Sequence, residues 1–225
     1  MFHVKPENDA YNYLVDGLQA LGLNVPEPDL RLILDYFHLL TEKSKVMNLI
    51  SAKQDIKTRI DIHLVDSLSL LAWDKLPAEA ELLDFGSGGG LPGIPLSICR
   101  PAWKCTLADS KAKKVRFIED VKNELSLTNV TTKSLFLEPG RNPEKEYYSL
   151  ITVRAVSSLD TLAAIAGPRL KPGGLFVAYK GPQIDDEIKV AKNIMVKWRL
   201  DLFDELRLKL PLGGADRVIA VFKKQ

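Results

Sequence analysis

The chain has 225 residues and a mass of 25.1 kDa, enough for one or two domains. Its 46% hydrophobic and 27% charged residues are globular values that exclude wholesale disorder. Thirty-one Lys and Arg against 29 Asp and Glu leave a net charge of +2, so any nucleic-acid role must come from local patches rather than overall charge.

Residues 7–76 are predicted helical throughout. Tyr11, Leu14, Leu18 and Leu21 recur at helical spacing up to Gly22. After the Pro26–Pro28 break, Leu30, Ile33, Leu34, Phe37 and Leu40 mark a second amphipathic helix, and Ile60, Leu64, Leu68 and Leu71 a third. At Pro77 the texture changes to short apolar runs alternating with helical stretches, the signature of an α/β sheet. Strands are predicted at Glu81–Phe85, Lys104–Asp109, Val130–Ser134, Leu150–Ala155 and Leu175–Lys180, with two more near Leu202–Leu208 and Val218–Phe222. Lys111–Leu125 reads as a helix with Val115, Ile118, Val121 and Leu125 inward, and Leu170–Gly174 as a tight turn. The last two strands, joined by Leu210–Asp216, form a hairpin, so the sheet is expected to end antiparallel. We therefore expect an N-terminal helical extension, residues 1–76, followed by a cofactor-binding α/β domain, residues 77–225.

Cys99 and Cys105 have five residues between them and no His pair nearby. This is neither a zinc spacing nor a disulfide framework, so no metal site and a reduced, cytoplasmic protein are expected. The start, MFHVKPENDAYNYL, carries acidic residues and no apolar leader, and no apolar run approaches the ~20 residues of a membrane helix. The expectation is a soluble protein with no membrane partner.

The most informative segment is Leu82–Gly93, which ends the first strand and enters a helix near Ile94. Ligands of open parallel sheets bind at the carboxyl ends of strands, where glycines let backbone approach them. Asp109 lies 23 residues after Gly86 at the end of the second strand, where a carboxylate can take both hydroxyls of a ribose. Gly88, Gly90 and Gly93 satisfy G-x-G-x-x-G, but five glycines within eight residues match many templates. Asp84 before the first glycine suits a loop curling around an amino-acid moiety, and Pro92 removes an N–H that a pyrophosphate would use. Both favour S-adenosylmethionine over NAD; a Gly-rich turn with no ligand is the plain alternative.

The run Asp84–Pro95 resembles motif I of the bacterial small-subunit ribosomal RNA guanine-N7 methyltransferases, once called glucose-inhibited division protein B. Met47–Ser51 is similar to the family's N-L-T-S stretch, and His63-Leu-Val-Asp66-Ser67 to its H-x-x-D-S helix. Leu107–Ser110 with Lys113–Phe117 resembles its L-D-S…K-R-V-x-F. Val153-Arg154-Ala155 and Tyr179-Lys180-Gly181 resemble its S-R-A and L-K-G, so ordered matches run from about residue 45 to 222. Departures are Ser87 and Gly89 within motif I, Phe85 for Val, Val153 for Ser, and Asp216-Arg217 for Glu-Arg. The resemblance implies a Rossmann-like class I methyltransferase sheet of seven strands, mostly parallel. It also implies methyl transfer from S-adenosylmethionine to N7 of a guanine in the decoding-region loop of 16S ribosomal RNA, on the RNA or the small subunit; the sequence leaves the oligomeric state open, with a monomer expected. Cofactor contacts carry over to Gly86, Gly88, Leu91, Asp109, Leu137, Glu138 and Arg154.

Guanine N7 has an in-plane lone pair and no proton, so the transfer needs positioning rather than a general base. Arg154 and Lys180, ending the fourth and fifth strands, are expected to point toward the ligand edge, as catalytic groups or as an ion pair. His63 lies beside the apolar stripe; spacing alone reads it as a satisfied core histidine, and the resemblance as part of the base pocket. Lys111, Lys113, Lys114 and Arg116 open the helix after Asp109, as RNA contacts or a solvated face. Asn48 is read as touching a base edge or capping a turn, and Arg217 as a further RNA contact. A methyltransferase of another substrate class, an NAD-binding oxidoreductase and a catalytically idle assembly module remain as alternatives.

Overall fold

The fold is that of a computed structural model describing residues 6–51, 53–136, 138–140, 148–154 and 157–225, with the side chains of 6–8 outside the description. The chain opens with α1 (Pro6–Ala20) and α2 (Glu27–Met47). α1 stops at Gly22, whose φ of +73° suits glycine, with Leu23 N–H returning to Leu18 O. α2 starts behind Pro26 with Glu27 and Asp29 in its first turn, where acids complement the helix dipole.

A helical segment follows whose pitch changes along its length. It begins as α3 (Ile56–Arg59), widens into a π-turn at Ile60–Val65, returns as α4 (Asp66–Leu68) and tightens to 3-10 at Ser69–Ala72. The expected third helix is therefore present but not uniform. The stripe Ile60, Leu64 and Leu68 is buried as expected, while Leu71 is only half-buried.

Beyond Pro77 lie β1 (Glu81–Phe85), α5 (Gly93–Cys99), β2 (Lys104–Asp109), α6 (Ala112–Glu124) and β3 (Val130–Ser134). Then come β4 (Tyr148–Arg154), α7 (Leu159–Ala166), β5 (Leu170–Lys180), α8 (Ile184–Trp198), β6 (Leu200–Lys209) and β7 (Asp216–Lys224). One seven-stranded sheet has the order β3-β2-β1-β4-β5-β7-β6. Its first five strands are parallel, whereas β7 pairs antiparallel with both β5 and β6. This is the expected sheet, closing hairpin included. The first three strands match their expected bounds. β4 begins two residues early at Tyr148, and Ala155, expected to end it, is outside the described residues.

The segment 170–174 is a correction. Rather than a turn outside the sheet, it begins β5: Tyr148 pairs with Leu170 and Leu150 with Leu175, so Lys171–Gly174 make an excursion within the strand. Gly173, at φ +77°, makes the bend possible.

Alternation along the strands divides the core in two. Leu82, Leu107, Leu150 and Val177 face the N-terminal helices with α5 and α6. Leu83, Phe85, Ile151 and Phe176 face α7 and α8. The helices before Pro77 thus bury their stripe on the sheet itself. Among the described residues no helix is long and apolar enough to cross a membrane.

Candidate active site

Strand order reverses between β1 and β4, the switch point at which open α/β sheets bind ligands. The glycine loop leaves β1 there. Gly86 N–H (2.8 Å) and Ser87 N–H (3.1 Å) both donate to Ala108 O, extending the β1–β2 pairing into the loop. Asp84, fully buried, anchors the loop's far end: Oδ2 accepts from Gly93 N–H at 3.0 Å and Oδ1 from the Thr152 hydroxyl at 3.2 Å. With its side chain fully buried, the carboxylate stakes the loop to α5 and β4. Burial pushes its pKa up to about 7, against the opposing pull of Ser87, Gly93, Thr152 and Arg154.

The glycines divide by what lies behind them. A Cβ at Gly89 would meet Leu40 Cδ1 at 2.6 Å, and one at Gly90 would meet Ile94 at 2.7 Å. One at Gly93 would meet Asp84 Oδ2 at 2.7 Å. These three let α2 and α5 close on the loop, and the buried Tyr36 hydroxyl secures it by donating to Gly89 O at 2.8 Å. Gly88 differs. At φ +60° its Cβ position meets nothing nearer than Gly86 O and Lys114 Nζ, both at 3.8 Å. Gly86 and Gly88, both half-buried, are the glycines left to line a ligand, beside the buried Leu91.

The start of α5 has no N–H to offer a pyrophosphate. Pro92 has none, Gly93 N–H is held by Asp84, and Ile94 N–H returns to Gly90 O at 2.7 Å. Gly90 and Leu91 N–H both return to Ser87 O. Two of the three glycines of the G-x-G-x-x-G match, Gly90 and Gly93, therefore serve packing and the helix start leaves no N–H for a pyrophosphate, which removes the support for the NAD reading.

Asp109 closes β2 with 6% of its surface exposed. Oδ2 accepts from Gly88 N–H at 3.0 Å and Oδ1 from Lys111 N–H at 2.9 Å, with Lys114 Nζ 3.5 Å from Oδ2. A carboxylate has about four acceptor positions, so capacity remains for a ligand's hydroxyls. Lys114 thus belongs to the Asp109 crevice, whereas Lys113 and Arg116 lie exposed on the same helix. Past β3, Leu135 N–H donates to Asp109 O at 3.1 Å and carries the chain toward Glu138, which is exposed. Leu137 lies outside the described residues.

Arg154, ending β4, turns into a buried network. Its Nη1 lies 3.2 Å from Asp66 Oδ2 and donates to Ile62 O at 3.0 Å. A π-turn leaves carbonyls without their usual helical partners, which lets this one accept a side chain. Arg217 Nε reaches the other oxygen of Asp66 at 3.2 Å. Because β7 runs antiparallel, it begins at the edge where β5 ends, bringing Arg217 to the crevice side. Asp61, also in the π-turn, accepts from Leu212 and Gly213 N–H at 3.2 and 2.6 Å and pins the β6–β7 turn to the helical segment. Arg154 and Arg217 are thus brought together on Asp66, with His63 near Arg154 on the adjoining π-turn. Lys180 stands apart, 2.6 Å from Glu187 Oε2 on α8 and donating to Ser157 O at 2.8 Å.

His63 is not the satisfied core histidine that spacing alone suggested: both ring nitrogens are buried without a partner. Burial first, then the charges of Arg154 and Arg59, push its pKa down to about 3, so the ring is neutral at physiological pH. Asn48 ends α2 in the left-handed region at φ +50°, its backbone N–H returning to Ser44 O at 3.2 Å and its side chain exposed. Sequence reasoning missed Tyr36, although it continues the stripe of Ile33 and Leu40, and Asp61, whose partners lie 151 and 152 residues away.

The family model described as rRNA small subunit methyltransferase G matches residues 29–203. A protein named ribosomal RNA small subunit methyltransferase G from Burkholderia ambifaria is 38% identical over 209 residues, covering 91% of this chain and 88% of its own length. Its namesake from Alkaliphilus metalliredigens is 32% identical over 213 residues, with coverage of 94% and 89%. A solved methyltransferase from Pyrococcus furiosus superposes with a TM-score of 0.57 at 15% identity, covering 85% of this chain and 97% of that one. A TehB-like SAM-dependent methyltransferase from Corynebacterium glutamicum gives 0.54 at 20% identity, with coverage of 84% and 98%. The two structures speak for the fold alone. The relatives speak for descent along nearly the whole chain, which belongs to the rRNA small subunit methyltransferase G family and is a methyltransferase.

Proposed function

We propose that this enzyme transfers a methyl group from S-adenosylmethionine to N7 of a guanine in the decoding-region loop of 16S ribosomal RNA, by direct in-line displacement without an obligatory general base. The observation that carries the reading is the crevice at the switch point. It combines an open face at Gly88 with a nearly buried carboxylate, Asp109, that keeps free acceptor capacity. Those residues suit a nucleoside bearing an amino-acid tail. Gly86, Gly88 and Leu91 would follow the tail, Asp109 would take the ribose hydroxyls, and Glu138, with Leu137 by the family resemblance, would add further cofactor contacts. When bound, S-adenosylmethionine supplies an electrophilic methyl group on sulfur.

The chain's own residues then have to hold the guanine in line. His63, neutral and with both ring nitrogens unpartnered, can donate to and accept from a base edge without adding positive charge where the methylated base gains one. Arg154, fixed by Asp66 and the π-turn, and Lys180, at the end of the adjacent strand, complete that side. Alignment of this kind can supply up to ~7–11 kcal/mol of a transfer barrier. In this reading the chain divides at Pro77 into a helical platform for RNA and the cofactor domain, with Asn48, Arg217 and the α6 cations at the RNA edge.

The test is transfer of labelled methyl to small-subunit RNA, followed by mapping of the modified nucleotide. Label appearing in protein or small molecules but never in RNA would overturn the substrate class. Asp109→Ala is expected to weaken donor binding about 10–150-fold, as removal of charged hydrogen bonds worth about 1.5–3 kcal/mol requires. Unchanged donor affinity by calorimetry would remove the ribose assignment. Lys113→Ala with Arg116→Ala should leave donor binding intact and flatten the salt dependence of RNA binding by about 0.7–0.9 in log–log slope for each phosphate no longer neutralised. An unaltered slope would return both cations to the solvated face.

A further inference from the structure

A second concavity lies away from the glycine loop. A groove of about 880 Å³ runs between α1, α2 and α3, lined among others by Tyr11, Arg31, Phe37, His38, Thr41 and Arg59. On α2, Tyr36 and Leu40 face the glycine loop, while Phe37, His38 and Thr41 turn to the groove.

The chemistry around Arg59 in this lining is unusual. The Arg59 guanidinium lies over the Phe37 ring, 5.2 Å from the centroid, and its Nη2 donates to Thr41 Oγ1 at 2.5 Å. Nε is buried with no acceptor, and among the described residues no carboxylate lies within ion-pair distance. Arg31, Arg154, Arg207 and Arg217 by contrast each reach an Asp or Glu. Burial lowers the Arg59 pKa, yet a guanidinium remains charged in proteins. A half-desolvated cation lacking its counter-ion is a standing cost that an incoming anion would relieve. The groove's own acids do not fill that role. Glu27 is exposed and already pairs with Arg31 at 2.5 Å, and Asp35 is exposed.

We propose that this groove is a phosphate-binding subsite that holds the RNA backbone beside the target nucleotide, with Arg59 as the group that receives it. The proposal rests on the reading of small-subunit RNA as substrate. A guanidinium with one face on an aromatic ring and, among the described residues, only Nη2 engaged by a protein acceptor keeps N–H donors to spare, and charged donors of this kind pair with phosphate oxygens. His38 and Tyr11 add donors to the same lining. Position favours RNA over a free nucleotide. Arg59 and His63 are four residues apart on one helical segment, about 6 Å along its axis, and the Arg59 charge helps keep His63 neutral. A strand whose base reaches His63 therefore passes Arg59 within a nucleotide or two.

The test compares wild type, Arg59→Gln, Arg59→Lys and His38→Glu for methyl transfer to small-subunit rRNA, donor affinity and thermal melting. Arg59→Gln should raise the KM for RNA about 5–20-fold and flatten the salt slope of RNA binding by about 0.7–0.9, with donor affinity unchanged. Arg59→Lys should recover part of the loss. His38→Glu places a negative charge at an exposed position and should weaken RNA binding at wild-type melting temperature, so it decides the matter should Arg59→Gln fail to fold. Wild-type RNA kinetics in both Arg59→Gln and His38→Glu would overturn the subsite while leaving the proposed function standing. Wild-type protein that methylates no rRNA would overturn both. A melting shift with AMP or inorganic phosphate that Arg59→Gln abolishes, alongside unchanged RNA kinetics, would make the groove a free-nucleotide or phosphate site and overturn the RNA assignment.

Discussion

Asp66→Ala is expected to lower the free energy of unfolding by about 3–5 kcal/mol, the usual consequence of removing one partner from a buried ion pair. In a domain of this size that corresponds to a fall of about 6–20 °C in Tm. The Asp66 side chain is 4% exposed and serves two guanidinium groups, Arg154 at 13% exposure and Arg217 at 28%. Arg154 dominates the loss, because the more exposed Arg217 can recover water. Removing the carboxylate also leaves Arg154 held by backbone carbonyls of the π-turn alone, so its position loosens and methyl transfer should fall along with stability. The double variant Asp66→Ala, Arg154→Met separates the two effects. With no orphaned charge left at Arg154 it should regain much of the lost Tm, while methyl transfer stays low. Recovery of both would show that Arg154 has no part in the reaction. Melting unchanged in Asp66→Ala would mean that water already screens both arginines.

How such a network escapes sequence reading is a matter of distance. β1, β2 and β3 were legible residue for residue because alternation, an abrupt glycine run and a single acid at a strand end are local signals. Asp66, Arg154 and Arg217 carry no local signal of one another, lying 88 and 151 residues apart. Their meeting depends on the antiparallel return of β7, whose hairpin was expected, and on the π-turn, which was not. A spacing of four between Ile60, Leu64 and Leu68 is the same in an α-helix as in a segment widened by one residue, so periodicity could not reveal it. The Lys-Pro-Gly-Gly run suggests a turn outside the sheet for a related reason: turn residues can equally mark an excursion inside a strand. The glycine loop was legible as a ligand loop. Its division into packing and lining positions was not, because Gly89 and Gly90 owe their lack of a side chain to neighbours on α2 and α5.

Asp84 ties that loop to a dependence on pH. In the unfolded chain its carboxyl titrates at an ordinary value near ~3.9, whereas burial in the fold pushes it up to about 7. Between those values the native state binds more protons than the unfolded state. The stability this group contributes is therefore fully present below about pH 4 and is lost as pH rises toward and through 7. The slope approaches 1.4 kcal/mol per pH unit at most. Asp84→Asn keeps an oxygen for Gly93 N–H or the Thr152 hydroxyl and cannot ionise, so that contribution to the slope should vanish. Measured by Tm between pH 4 and 8, wild type should lose stability relative to Asp84→Asn with each step upward. The readout is the difference in slope, which is indifferent to any constant cost of seating the amide beside Gly93, and the remaining carboxylates titrate alike in both proteins and cancel. Parallel Tm–pH curves would mean that the donors from Gly93 and Thr152, with Arg154 nearby, stabilise the ionised form enough to offset its burial. In that case the loop would be staked to the sheet by a charge rather than by a neutral acid, and its grip on α5 would tighten rather than relax as pH rises.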